Sequence, residues 1–443
     1  MTTVAAGVDG GAVYERLRLE AVGRIGERNV SAASVEYRTV VETEIDKVLD
    51  RHQRDVAGGI GEQTSLNRGK VRARLSRSVL DYGPLTPFLA DVPIAEEILI
   101  LGGEISFIAG SRLVVHPETC HRDEMLHHVR RLLADAGYTV DAANPQVRCM
   151  VLAGTARITV TIPPVSPLGL DVALRRYTLR SSTLRELVEK DSLTDPAAQT
   201  LALAARSLGR TVLVGPPRAG KTSLANAMLR CVPPTVVTRV LQDVPELQTT
   251  HLTGGPWAEH RGGPDGKGSR TLRQLGEAAL QAAPGFFVLG ETKGAEAFLI
   301  VRLANAGCGF LTTTHANSAV MAMDSLVDTA LLAGENVSES SVRRRFAAII
   351  HLVVFCDLEP LHLVPAGREQ RRQVMEIAVM GPFAGTDTGF RLDPLFIRTD
   401  FGEPLTYTGW QELPFELERL FRRTLPTGVA PRDVFEGRYR EDL

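Results

Sequence analysis

Downstream of Leu201 the chain repeats one pattern: a predominantly apolar run of four to six residues, then a longer amphipathic stretch with apolar positions three or four apart. Runs too short for helices, separated by helical spacing, predict strands buried on both faces and therefore a parallel sheet covered by helices. The predicted strands are Thr211–Val214, Val236–Leu241, Phe286–Leu289, Phe310–Thr314 and Leu352–Phe355, with further strands expected around Gln373–Val379 and Leu395–Thr399. Open sheets of this kind hold their ligands beyond the carboxyl ends of the strands, so polar residues there are the first candidates for chemistry.

Upstream the pattern changes. Short strand-like runs at Glu97–Leu101, Glu104–Ala109, Arg157–Ile162 and Asp171–Leu174 alternate with a helix near Asp123–Ala136, which predicts a compact α+β domain between Asp81 and Tyr177. Before it, a Gly/Ala-rich opening leads to helical spacing at Val40, Val41, Ile45, Val48 and Leu49, ended by Gly58, Gly59 and Gly61. The polar stretch Ser181–Asp195 reads as a linker. The expected organisation is a helical segment over 1–78, an α+β domain over 79–180, a linker over 181–195 and an α/β domain over 196–443.

Composition narrows the class. A chain of 443 residues with 44% hydrophobic and 23% charged residues is globular, not fibrous or disordered, and long enough for two or three cores. A net charge of −2 gives no global attraction for nucleic acid. The basic run Arg68, Lys70, Arg72, Arg74 and Arg77 reads as a solvated helix face rather than a nucleic-acid or lipid patch. Five scattered cysteines (Cys120, Cys149, Cys231, Cys308, Cys356) lack zinc or redox spacing and suit a reducing compartment. His127 and His128 have no ligand partner at i+4, so no metal is expected there. The longest apolar stretch, Ala347–Cys356, is about half a membrane span. Without an opening signal-like segment, a cytoplasmic protein with peripheral membrane contact is expected.

The strongest chemical signal is Gly215-Pro216-Pro217-Arg218-Ala219-Gly220-Lys221-Thr222, between the strand Thr211–Val214 and a helix expected over Ala219–Arg230. Glycines at both ends let the backbone amides face one point, and the helix amino terminus adds partial positive charge, which makes a cradle for phosphate oxygens. Lys221 reaches the β and γ phosphates, and the Thr222 hydroxyl can bind Mg2+; Ser223 is a lesser candidate. Phe286-Phe287-Val288-Leu289-Gly290-Glu291 delivers a carboxylate from a buried strand, suited to ordering the metal and polarising a water. Gln242-Asp243-Val244-Pro245-Glu246 supplies two more acids, Asp243 and Glu246, after another strand. Thr313-Thr314-His315-Ala316-Asn317 ends a fourth, with His315 as candidate γ-phosphate sensor or water positioner.

These four elements, in this order, resemble the ATPases of the type II and type IV secretion superfamily, and most closely the tight-adherence (Flp pilus, CpaF/TadA-like) motors. Further matches are Asp81-Tyr82-Gly83-Pro84-Leu85-Thr86-Pro87-Phe88, Leu174-Arg175-Arg176-Tyr177, Thr271-Leu272-Arg273 and Gly290-Glu291-Thr292-Lys293-Gly294-Ala295-Glu296-Ala297, within a similarity running from about Leu80 to Val379. The resemblance implies a RecA-like P-loop motor domain preceded by a smaller α+β, PAS-like domain, a homo-hexamer, ATP and Mg2+, and inner-membrane platform proteins of a secretion or pilus system as partners. It also implies that Arg175 and Arg176 approach the nucleotide from the amino-terminal domain and that Arg273 and Lys293 sense phosphate. Departures fall on charged positions: Gln242 stands where the family has Glu, Lys293 where it has Arg, and Thr253-Gly254-Gly255-Pro256 and Ala283-Pro284-Gly285 replace arginine-bearing stretches. Gln can orient a water but not accept its proton, so a nucleotide-gated scaffold with little hydrolysis is the alternative to a motor. A DNA-translocating motor would need an aromatic, basic groove, and a small-molecule kinase would need a lid; neither is visible in the sequence.

Overall fold

The helical spacing near the amino terminus becomes three helices whose apolar faces meet. The computed structural model describes residues 8–27, 36–60, 67–90, 95, 97–109, 112–176, 183–243, 246–259, 268–282, 284–294, 296–334, 336–365, 368, 370–381, 389–410 and 412–443. Residues 1–7, Gly61, Tyr177, 181–182, Val244, Pro245, Ala283 and Ala295, all named above, lie outside the described residues. Helices Val8–Glu27, Tyr37–Ala57 and Arg68–Leu80 bury Val13, Leu17, Val41, Ile45, Val71 and Leu75 together. The basic run, expected as a solvated helix face, is part-exposed and also ion-paired. Arg68 pairs with Asp50 at 2.7 Å, Arg72 with Asp46 at 2.8 Å and Arg77 with Glu118 at 2.7 Å, so carboxylates neutralise it locally.

These helices share one unit, Met1–Thr178, with a six-stranded sheet; Leu179–Leu443 form a second unit. The strands of the first are β1 (Glu97–Leu101), β2 (Glu104–Ala109), β3 (Arg112–Val115), β4 (Gln146–Val151), β5 (Ala156–Thr161) and β6 (Asp171–Arg176), in antiparallel order β3-β2-β1-β6-β5-β4. Strand alternation turns Ile98, Ile100, Ile158, Val160, Val172 and Leu174 toward the helix Arg122–Asp135, whose Met125, Val129, Leu132 and Leu133 close the core.

The second unit is built on β7 (Arg210–Val214), β8 (Val237–Gln242), β9 (Thr253–Ala258), β10 (Phe286–Leu289), β11 (Gly309–Thr314), β12 (Leu352–Leu358), β13 (Arg372–Met380), β14 (Leu392–Ile397) and β15 (Thr406–Tyr407). Their order is β15-β14-β13-β12-β7-β11-β10-β8-β9; the six strands from β12 to β9 are mutually parallel and the last three of the chain antiparallel. Period two explains why the central strands carry apolar residues on both faces: Leu213, Val240, Val288 and Val354 enter one core, while Val212, Val214, Leu241, Phe287, Leu289 and Val353 enter the core on the other face. The parallel register brings the carboxyl ends of β7, β8, β10, β11 and β12 to one edge.

Candidate functional site

The turn after β7 is shaped by backbone that only certain residues tolerate. Gly215 (φ +153°) and Gly220 (φ +91°) occupy the positive-φ region, and Arg218 (φ +69°) is drawn there with them. A β-carbon on Gly215 would collide with the Cys356 carbonyl oxygen of the neighbouring β12, so the close approach of the two strands demands glycine. The helix after the loop, Lys221–Leu229, begins with Gly220 as N-cap and has no side chain over its first amides. Elsewhere Thr183, Thr271, Ser318 and Ser338 cap their helices. A glycine cap leaves unpaired amides and the positive helix end facing outward, the arrangement that accepts an anion.

Lys221 is largely buried, and its ammonium donates to Gly215 O at 2.7 Å and Pro216 O at 2.8 Å, with His315 Nδ1 3.1 Å away. His315 in turn places Nε2 2.7 Å from Glu291 Oε1. The tautomer protonated on Nε2 satisfies both sides, accepting from Lys221 and donating to Glu291. Glu291 Oε2 accepts from Lys293 Nζ at 3.0 Å, and the same ammonium donates to Asp243 Oδ2 at 2.6 Å. One chain of polar contacts therefore links the ends of β7, β11, β10 and β8. The hydrogen bond from His315, with that from Lys293, outweighs burial and holds the Glu291 carboxyl at about 2. Burial disfavours the Lys293 charge, but bonds to Asp243 and Glu291 win and raise its pKa.

Threonines make this convergence possible. Thr313 Oγ1 donates to Gly290 O at 2.7 Å, Thr314 Oγ1 to Thr292 O at 3.1 Å, and the Thr292 and Thr312 hydroxyls meet at 2.6 Å. The turn carrying Glu291 is thereby latched to β11, whose end carries His315. The segment after β8 is fixed similarly. The Gln242 side-chain oxygen accepts from the amides of Glu246 and Leu247, both at 3.1 Å, and Asn226 donates to Glu246 O while accepting from Gln248 N at 2.7 Å. Glu246 Oε2 then lies 3.4 Å from Thr222 Oγ1. The roles of Asn226, Thr292 and Thr312 were not read from the sequence, where only a polar residue beside each motif could have signalled them.

Not every candidate joins this set. Arg273, on the helix Leu272–Gln281, donates to Ala333 O at 2.9 Å and approaches Glu277 Oε1 at 3.5 Å. Arg175 and Arg176 end β6 in the first unit, where buried Arg176 donates to Leu89 O and Ala90 O. Pro216, Pro217, Arg218 and Ala219 form the loop itself, and Ser223 lies half-buried in the first helical turn. The oxygen donors Thr222, Glu246, Glu291 and Asp243 suit a hard cation such as Mg2+. Among the described residues no group of three or more His, Cys, Asp or Glu is arranged to hold a metal ion. Among the described residues, no helix is long and apolar enough to cross a membrane.

The chain has relatives among known proteins. A Mycobacterium tuberculosis protein named for conjugal transfer is 30% identical over 258 residues, spanning 57% of this chain and 70% of its own length. The type IV secretion system protein PtlH of Bordetella pertussis is 28% identical over 256 residues, 51% of this chain and 72% of PtlH. Among solved structures, the pilus retraction motor PilT with bound ADP aligns over 66% of this chain and 80% of PilT, at 18% identity and a TM-score of 0.47. The family described as Type II/IV secretion system protein is matched over residues 119–360, more than half of the 443-residue chain, and the chain belongs to that family.

Proposed function

We propose that the chain is a P-loop ATPase that works as a hexameric motor at the cytoplasmic face of a bacterial inner membrane, powering secretion or pilus assembly as tight-adherence motors do. The observation that carries this reading is the single contact chain from Lys221 through His315 to Glu291, which joins an anion cradle to a carboxylate able to orient water. In the structure Lys221 is folded onto its own loop carbonyls, so a bound triphosphate would draw it out and free His315 to face the γ phosphate. Glu291, strongly acidic, stays ionised and accepts a hydrogen bond from the attacking water rather than storing its proton. Mg2+, held by Thr222 with Glu246 and Glu291 beyond its waters, would neutralise phosphate charge. Gln242 acts here as the brace that aims Glu246, and its amide can do this as well as a carboxylate could.

A nucleotide-gated scaffold is the second reading, favoured by the way the Lys293 charge, though exposed, is already neutralised between Asp243 and Glu291. Arg273 or residues of neighbouring copies would then complete the site only in an assembled ring, with membrane platform proteins as partners. Mg2+-dependent ATP turnover of the purified protein separates the two. A motor gives turnover that Lys221→Ala abolishes through binding and Glu291→Gln lowers about a hundredfold with nucleotide still bound. Wild-type turnover no faster than Glu291→Gln, with nucleotide bound, establishes the scaffold.

A further inference from the structure

Every acid and histidine of the candidate site lies to one side of the phosphate loop. Sheet order puts β11, β10 and β8 on that side of β7, so the hydrolytic end of a bound triphosphate points there. The opposite flank is built by β12 and β13, of which β13 begins beyond the residues matched by the family. What these strands offer to a nucleotide is not contained in any of the four motifs.

That flank touches the loop at two points. β12 runs parallel to β7 and sets its Cys356 carbonyl against Gly215. β13 begins at Arg372, paired with Leu358, and a β-carbon built on Gly220 would lie 3.8 Å from the Arg372 β-carbon. Arg372 thus stands directly beside the residue that caps the helix of the phosphate cradle. Its side chain is exposed, and among the described residues no carboxylate pairs with its guanidinium. The cations on the other flank are engaged: Lys221 with loop carbonyls, Lys293 with two carboxylates, Arg273 with Glu277 and Ala333.

The main chain of Arg372 is held firmly. Its carbonyl accepts from Ser192 Oγ at 2.8 Å, and the next residues are anchored by Val374 N to Ser192 O at 3.0 Å and by Gln373 Nε2 to Asp191 O at 2.7 Å. Arg398 adds a donor to Val374 O at 3.0 Å. A fixed backbone with a free guanidinium is what a preorganised anion contact requires: little order remains to be imposed when the ligand arrives, and the planar fork can donate twice to one phosphate.

We propose that Arg372 is a nucleotide-contacting residue that binds the α phosphate, fixing the nucleoside end of ATP against β12 and β13 while the γ end meets Glu291 and His315. This deepens the nucleotide reading of the same loop and rests on it. Because ATP and ADP share the α phosphate, Arg372 grips both alike and takes no part in distinguishing them; that task stays with His315.

The test uses the full chain and three variants, Arg372→Ala, Arg372→Lys and Lys221→Ala, with Mg2+ and either ATP or ADP, by equilibrium titration. Arg372→Ala is expected to weaken ATP and ADP by the same factor, about tenfold or more. The loss should appear in the KM of turnover. Arg372→Lys restores charge without the fork and recovers only part of the affinity. Unliganded thermal unfolding of Arg372→Ala should match wild type; a lowered melting temperature that by itself accounts for the affinity loss would make the residue structural and overturn the proposal. A loss confined to ATP would place the contact at the γ end and also overturn it. Unchanged binding by Arg372→Ala, while Lys221→Ala binds nothing, removes Arg372 but leaves the nucleotide site standing. If wild type and Lys221→Ala bind ATP equally, the nucleotide reading itself falls.

Discussion

His315 and Glu291 act as a pair, and the pair has a pH signature. The folded pKa of Glu291, about 2, lies below the ordinary value near 4.3. A depressed carboxylate contributes stability that is fully present above its unfolded pKa and is lost as pH falls through the folded one. The Glu291 side chain is 27% exposed, so the contribution is on the order of 2 kcal/mol after screening. His315→Ala removes the largest cause of the shift. Its unfolding free energy by urea titration should therefore fall short of wild type by part of that amount at pH 6, since Lys293 still holds the carboxyl down, and the gap should narrow below about pH 4. A gap of constant size between pH 6 and pH 3 would mean that some other contact of His315, and not its bond to Glu291, stabilises the fold.

The strand-loop-helix element makes a different demand, on backbone space. Gly220→Ala meets only ordinary contacts, so its cost is the left-handed conformation alone, roughly 1–2 kcal/mol. Gly215→Ala drives a β-carbon into the Cys356 carbonyl, and β7 must part from β12 locally. It should destabilise the protein by more than Gly220→Ala in the same urea titration; equal costs would mean that β12 yields and the close approach is not fixed. This loop was legible in the sequence because glycine spacing, a preceding apolar run and a following helix agree. The strands Phe286–Leu289 and Glu97–Leu101 were equally legible, being uniformly or alternately apolar. Four strands were not. β4 carries Gln146 and Arg148 in its first half, β3 is a four-residue edge, β15 is an edge of two residues, and β9 contains Gly254, Gly255 and Pro256, residues that strands normally avoid and that only an edge position tolerates. The latches formed by Thr292, Thr312 and Asn226 stayed hidden because a hydroxyl or amide announces no partner; only the fold brings residues twenty apart together.

At the scale of the chain, a buried carboxylate ties together what sequence reading divided at residue 78. Glu124, fully buried on the helix Arg122–Asp135, accepts from Ser78 Oγ at 2.6 Å and Tyr14 Oη at 3.1 Å, with Arg18 Nε 3.8 Å and His128 Nε2 3.6 Å away. Burial pushes its pKa up, but His128, Ser78 and Arg18 outweigh this and keep it lowered, so it is ionised near neutrality. Two of the three amino-terminal helices therefore meet the sheet domain through one charge. Glu124→Ala strands the hydroxyls of Tyr14 and Ser78 around an emptied acceptor, a loss of about 1–3 kcal/mol for each buried group left unpaired, while Arg18 keeps its bonds to Glu15 at 2.6 and 2.9 Å. Glu124→Gln keeps an acceptor and loses less. Amide hydrogen exchange locates the effect: Val8–Glu27 should exchange faster in Glu124→Ala while Lys221–Leu229 keeps its protection. The dependence on pH has the same sign as for Glu291, since a lowered carboxylate stabilises above the ordinary range and ceases to do so as acid protonates it. If Val8–Glu27 stays as protected in Glu124→Ala as in wild type, the apolar contacts of Val13, Leu17 and Ala21 suffice to hold the helix and the charge is incidental to its docking.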